Sequence, residues 1–78
     1  MDIKILNHAR QRMQSYNISE AMIKDTINNP DSEIDTYGGR RIAQKKLGTH
    51  LLRVIYERQN QDKTVVTVYK ARPERYEI

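Results

Sequence analysis

The chain has 78 residues, a formal net charge of +4 and no cysteine. A chain of this length predicts one small domain, residues 1–78, and the missing cysteines exclude disulfides and thiolate metal sites. It has no apolar run long enough to span a membrane, and it does not open with the basic and apolar segments of a secretory signal. We therefore expect a cytoplasmic protein that works without a membrane, a metal ion or a cofactor.

The charge is distributed unevenly along the chain. Residues 1–36 carry four basic and six acidic side chains, whereas residues 37–78 carry ten basic and four acidic ones. A domain polarised in this way attracts phosphates or an acidic protein to its basic half. The alternative is that these lysines and arginines only keep the surface solvated.

The first third of the chain predicts a helical hairpin. Asn7 is suited to cap a helix over residues 7–16, and Asn17 is suited to end it in a left-handed conformation. Ser19 is suited to cap a second helix, which ends at Asn28-Asn29-Pro30 because proline cannot continue a helix.

After Pro30 the pattern changes to that of strands. Runs at residues 32–37, 40–47, 51–58 and 64–71 predict four strands, and Gly38-Gly39 predicts a hairpin turn because both glycines tolerate a positive φ. The order α-α-β-β-β-β indicates an α+β fold with both helices on one face of a four-stranded antiparallel sheet.

Alternation along the strands predicts which side chains share a face. We expect the face under the helices to hold Ile42, Leu52, Val54, Val66 and Val68. The face left bare would then carry a cationic and aromatic group: Arg41, Lys45, Arg53, Thr67 and Tyr69.

Arg53 is the most informative of these residues because it lies in mid-strand between residues that read as core. The free-energy cost of a charge at this position is small if the face is a hydrated groove in which the guanidinium binds an anion. Each member of the group also has a purely structural interpretation, such as an ordinary solvent-facing residue of a one-sided sheet. The functional hypothesis depends on their convergence on one face.

His8 and Arg12 form a second candidate pair. They are four residues apart and so lie on the same side of the first helix. A histidine that titrates near neutral pH can move a proton, and a neighbouring arginine can hold a phosphate. The structural alternative is that His8 bonds to nearby backbone and that Arg12 lies along the sheet edge.

Several segments together resemble a family of short prokaryotic proteins of unknown function. They cover nearly the whole chain in order: His8-Ala9-x-x-Arg12-Met13, Asn17-Ile18-Ser19, Asn29-Pro30, Gly39-Arg40-Arg41, Leu52-Arg53-Val54 and Val66-Thr67-Val68-Tyr69. That family is more distantly similar to RelE/ParE-like and BrnT-type toxins. The closing segment, residues 71–76, resembles the BrnT-type ending. BrnT-type chains open with a further strand before the helices, where this chain has only residues 3–6.

The resemblance implies a sheet whose bare face holds RNA-cleaving groups and is often covered by an antitoxin. It points to Lys45, Arg53 and Tyr69 on the strands and to Arg72, Arg75 and Tyr76 in the tail. For catalysis we consider Lys45, Arg53 and Tyr69, with His8 in reserve. The candidates for RNA binding are Arg12, Arg41, Thr67, Arg72, Arg75 and Tyr76.

Three hypotheses follow for the function. The first is a metal-independent endoribonuclease of a toxin–antitoxin system, acting on free or ribosome-bound mRNA. The second is a non-catalytic module that binds RNA or an acidic protein through the same basic face. The third is an inactive relative that pairs with a small antitoxin-like protein, or with itself as a homodimer, through the edge strand at residues 32–37.

Overall fold

A computed structural model describes the backbone of residues 3–75 and the side chains of residues 3–74. The helices are α1 (Asn7–Tyr16) and α2 (Glu20–Asn28), and the strands are β1 (Ile3–Ile5), β2 (Ser32–Asp35), β3 (Arg40–Leu47), β4 (His50–Gln59) and β5 (Asp62–Ala71). Short 3-10 turns at Tyr37–Gly39 and Pro73–Arg75 complete the described chain. Neither described helix is long and apolar enough to cross a membrane.

The sheet is mixed and has five strands in the order β1-β5-β4-β3-β2. Strands β2 to β5 form the expected antiparallel meander, but β1 adds a parallel pair at the edge of β5, with Ile3 opposite Lys63 and Ile5 opposite Val65. The α+β class and the two helices are confirmed. The prediction of a four-stranded, wholly antiparallel sheet is wrong because three residues with one buried side chain carry too little pattern to signal a strand.

The ends of the helices follow local chemistry. The backbone N–H of Met22 donates to the Ser19 hydroxyl oxygen at 3.2 Å, which caps α2. Asn17 ends α1 in the left-handed conformation, with a φ of 57°. Both features were predicted. Asn7, however, is the first helical residue and not the cap, because Leu6 occupies that position without a side-chain hydrogen bond.

Both helices cover one face of the sheet. α1 packs on β5, and α2 packs across β3 and β4. The core between these layers contains Ile5, Ala9, Met13, Ile18, Ile23, Ile27, Ala43, Leu52, Val54, Tyr56, Val65 and Val68. We call this side the helical face and the opposite side the open face.

The predicted phase of β4 is confirmed, but that of β3 is wrong. Ala43 lies opposite Val54 and is completely buried, whereas Ile42 lies opposite Ile55 on the open face. Ala43 is small enough to fit beneath α2, so packing against the helix outweighs the greater hydrophobicity of Ile42.

A β-bulge in β5 changes which valines enter the core. Tyr56 pairs with Val65 and Ile55 pairs with Thr67, so Val66 has no opposite residue. The extra residue inverts the alternation along the strand. Val65 therefore joins Val68 in the core, and the prediction that Val66 does so is wrong.

The cap of α2 should contribute measurably to stability. Replacing Ser19 with alanine leaves the Met22 amide without its acceptor, and we expect a loss of about 1 kcal/mol in the free energy of unfolding, measured by urea denaturation. Ser15→Ala is the matched control, because the Ser15 hydroxyl donates only to the Gln11 carbonyl within α1. Equal losses in the two variants would contradict the capping role.

Candidate functional site on the open face

A row of four polar side chains crosses the open face. Cross-strand pairs align Ser32 with Gln44, Gln44 with Arg53, and Arg53 with Tyr69. Directly opposed residues point to the same side of a sheet, so this row runs across β2, β3, β4 and β5. We call it the polar row.

Arg53 lies at the centre of the polar row and is only 6% exposed. Its guanidinium carbon is 5.6 Å from the centroid of the Tyr69 ring, which is a cation–π arrangement. A planar guanidinium can hold two oxygens of a phosphate or carboxylate at once, and Arg53 places such a group at the centre of the open face.

Gln44 joins the two sides of the row. It is completely buried, and its Nε2 donates to the Ser32 hydroxyl at 2.9 Å. Sequence reasoning put Gln44 on the face under the helices because it placed β3 in the opposite phase, and it assigned no face to Ser32. The two-residue turn Gly48-Thr49 carried the missing signal: counting back along the hairpin from the pair Leu47–His50 puts Gln44 opposite Arg53.

An apolar row lies beside the polar row on the open face. It consists of Ile34, Ile42, Ile55 and Thr67, which are aligned by the same register. Ile34 is 42% exposed, and the other three are partly buried. The open face therefore carries the buried Arg53 and the Tyr69 ring beside the apolar row, and not the predicted cluster of several lysines and arginines.

Three of the predicted strand residues do share the open face, namely Arg53, Thr67 and Tyr69. Arg72 follows directly after β5 and is exposed. The Arg75 side chain and the whole of Tyr76 lie outside the described part of the chain.

Lys45 is on the helical face, opposite Leu52, so the prediction that it lies beside Arg53 is wrong. Its Nζ donates to the Asn29 carbonyl at 2.9 Å and lies 3.1 Å from an Asp25 carboxylate oxygen. The lysine thus stabilises the C-terminal end of α2, where a cation is favoured. Hydrogen bonds from Lys45 and then Asn29 hold the pKa of the Asp25 carboxyl below its ordinary value.

Arg41 is also on the helical face, because it pairs with Tyr56 and not with an open-face residue. Its guanidinium lies 3.3 Å from a Glu33 oxygen and 3.0 Å from an Asp35 oxygen. The Tyr56 hydroxyl donates to the same Glu33 carboxylate. The prediction that Arg41 lies on the same face as Arg53 is therefore wrong, and Arg41 belongs to an ion-pair cluster at the end of the helical face.

His8 and Arg12 lie on the exposed side of α1. Since α1 packs on the helical face, the sheet separates both side chains from Arg53 and Tyr69. Of the four catalytic candidates, the structure brings together only Arg53 and Tyr69.

Tyr56 should give the protein an alkaline stability limit. Burial, and then the hydrogen bond to Glu33, raise the pKa of Tyr56 from 10.0 to about 12. The neutral phenol is thus favoured in the folded state, and its contribution to stability is present below about pH 10 and lost as the pH rises towards 12. In denaturation curves at increasing pH, we expect Tyr56→Phe to lose less stability than the wild type across this interval. Parallel curves would contradict this interpretation.

Lys45 should be a stability residue. We expect Lys45→Met to lower the free energy of unfolding by about 0.5–1 kcal/mol, because the end of α2 loses its cation. Lys46→Met is the matched control, because the Lys46 side chain is exposed and only its backbone nitrogen donates to Asp31. Urea denaturation of both variants gives the comparison, and an undiminished stability in Lys45→Met would refute the assigned role.

Comparison with known proteins assigns the chain to a family without assigning an activity. The chain matches no curated protein and no solved structure at a significant level. Residues 5–70 match a family model described as a domain of unknown function, DUF4258. The match runs from β1 to the penultimate residue of β5 and includes both rows of the open face. The chain therefore belongs to the DUF4258 family.

Proposed function

We propose that the protein binds single-stranded RNA on its open face and cleaves it as a metal-independent endoribonuclease. The observation that carries the proposal is the buried Arg53 guanidinium 5.6 Å from the Tyr69 ring on the face opposite the helices. A fixed cation beside a phenol supplies two of the groups that phosphoryl transfer requires. The resemblance to RelE/ParE-like and BrnT-type toxins agrees with this chemistry, and such a toxin would work with a small antitoxin in the cytoplasm.

The reaction would begin with attack of a ribose 2′-hydroxyl on the adjacent phosphorus. The bond from phosphorus to the 5′-oxygen breaks, which leaves a 2′,3′-cyclic phosphate and a new 5′-hydroxyl. Arg53 stabilises the negative charge that develops on the phosphate oxygens. Tyr69 donates its phenolic proton to the departing 5′-oxygen, and the proton of the attacking hydroxyl passes to water, from which Tyr69 is reprotonated.

The surroundings of the pair favour single-stranded RNA as the substrate. On the open face, unpaired bases would stack on the Tyr69 ring and pack against the apolar row. Proteins commonly hold the splayed bases of single-stranded RNA by such stacking on aromatic rings. Arg72, which is exposed directly after β5, is our candidate for a contact to the RNA backbone beyond the cleaved phosphate.

Binding without cleavage is the second candidate function. It is favoured by the positions of Lys45 and His8, which the fold keeps on the helical side. These two were the other proton-transfer candidates, and without them Tyr69 is the one predicted catalytic residue beside Arg53 that can exchange a proton.

The two functions differ in the response to Tyr69→Phe, which removes the hydroxyl and keeps the ring. The assay uses purified protein with end-labelled single-stranded RNA in EDTA, and separately with a translated message. For an endoribonuclease, we expect Tyr69→Phe to reduce cleavage by about 10²-fold or more and to leave the RNA Kd within about twofold. Arg53→Gln should weaken both, and circular dichroism and urea denaturation check that it folds.

Controls within the chain test the assignment of the site. Lys45→Met and His8→Gln should cleave as the wild type does, because both residues lie on the helical side. A substrate with a 2′-deoxy sugar at the cut position should remain intact. Salt-dependent RNA binding with no product in either assay would establish the binding module, and the absence of both binding and product would refute both functions.

A further inference from the structure

β2 is an edge of the sheet, and no described strand pairs with its outer side. It contains only four residues, Ser32–Asp35, and it is more exposed than any other strand of the antiparallel meander. A strand edge with free backbone groups is a template for a further strand. This edge is separate from Arg53 and Tyr69, so it can be tested independently of the proposed ribonuclease.

The hydrogen-bond pattern identifies which backbone groups face outward. The Thr36 nitrogen donates to the Arg40 carbonyl at 2.9 Å, which makes this a hydrogen-bonded pair. Such pairs alternate along an antiparallel ladder, so Ile34 bonds inward to Ile42. The N–H and C=O groups of Glu33 and Asp35 consequently point away from the sheet.

The acidic side chains at this edge determine which charge a pairing strand should carry. The Glu33 and Asp35 carboxylates lie on one side of β2, and Asp35 is 83% exposed despite its contact with Arg41. If two copies paired antiparallel about Ile34, Glu33 of one would lie opposite Asp35 of the other. Like charges opposite each other destabilise a strand pair, whereas lysine or arginine at both positions would stabilise it.

The other side of β2 selects an apolar residue. Ile34 is 42% exposed and is the outermost member of the apolar row. A residue placed beside it would extend this row by one strand. At the end of β2, Tyr37 is 95% exposed and lines an open groove together with Asp35 and Thr36.

We propose that the outer edge of β2 binds an extended segment of another protein in which basic residues flank an apolar one. The segment adds a strand to the sheet through the outward backbone groups of Glu33 and Asp35. Its two basic side chains meet the carboxylates of these residues, and its apolar side chain packs against Ile34.

The probe is a nine-residue peptide with the central sequence Lys-Ile-Lys, blocked at both ends and added to ¹⁵N-labelled protein. We expect hydrogen exchange at the Glu33 and Asp35 amides to slow on binding, with shift changes confined to β2 and the following turn. Two control peptides separate the contributions: one with Glu-Ile-Glu at its centre, and one N-methylated at both lysines, which keeps the charge and removes the backbone donors. Neither should protect the two amides.

Variants of the edge test the same contacts from the protein side. Asp35→Lys should weaken the peptide by about tenfold, because an attractive pair becomes repulsive. Glu74→Lys, the same charge change at an exposed position outside β2, should leave the Kd within about twofold. Asp35→Pro should abolish binding and leave the β2–β3 pairing intact, because proline is tolerated where the N–H faces solvent.

Three outcomes would overturn the proposal. The first is equal binding of the Lys-Ile-Lys peptide and its N-methylated control, and the second is no binding by either. The third is a dimer in sedimentation that Asp35→Pro dissociates, since the occupant of the edge would then be a second copy of this chain.

Discussion

The two-residue alternation of β4 is the constraint on which the rest of the structure depends. Leu52, Val54 and Tyr56 point under the helices, so Leu51, Arg53 and Ile55 must point the other way. β4 is the central strand of the sheet and pairs on both sides along most of its length. Its phase therefore determines the face on which every paired residue of β3 and β5 lies.

Arg53 is buried as a consequence of this constraint. The same strand that supplies the centre of the core cannot turn the guanidinium aside without exposing Val54 on the other face. Burying a charge costs free energy unless polar groups surround it, and the ring of Tyr69 and the neighbouring Gln44 lie in the same row. A sheet that only had to fold could have placed an aliphatic residue here, which is why the polar row is the natural place to look for chemistry.

Much of the architecture could be predicted from the sequence because it depends on local signals. Ser19, Asn17 and the paired glycines mark their turns by their own chemistry, and the β4 pattern is strongly apolar on both sides of Arg53. The phase of β3 follows instead from its register with β4: counting back from the Leu47–His50 pair at the Gly48-Thr49 turn puts Ala43 opposite the buried Val54. The pattern of β3 alone favours Ile42, so the strand read by itself gives the wrong face. The bulge at Val66 shifts the alternation of β5, so that Val65 and Val68 face the core although they are three residues apart. Nothing in the composition of the strand indicates this bulge.

The candidate site was predictable to the same extent. Arg53 is part of β4, and Thr67 and Tyr69 pair with Ile55 and Arg53 of that strand. Because the phase of β4 was predicted correctly, these three residues lie together as expected. Lys45 and Arg41 belong to β3, whose phase was predicted wrongly, so both lie on the helical face. There Lys45 pairs with Asp25, and Arg41 pairs with Glu33 and Asp35 of β2. An ion pair between distant segments cannot be inferred from a charge pattern until the register is known.

The parallel pairing of β1 with β5 has a consequence for the order of assembly. Among the described strands β1 pairs only with β5, so the sheet gains this edge only when the chain through β5 is available. α1, which follows β1, packs on the same strand. The apolar side of α1 therefore stays uncovered until β5 is available, whereas α2 packs on the earlier strands β3 and β4. Closing the long loop between β1 and β5 costs entropy that shorter contacts avoid. The meander can therefore form as a local unit, while the N-terminal segment docks as the concluding event.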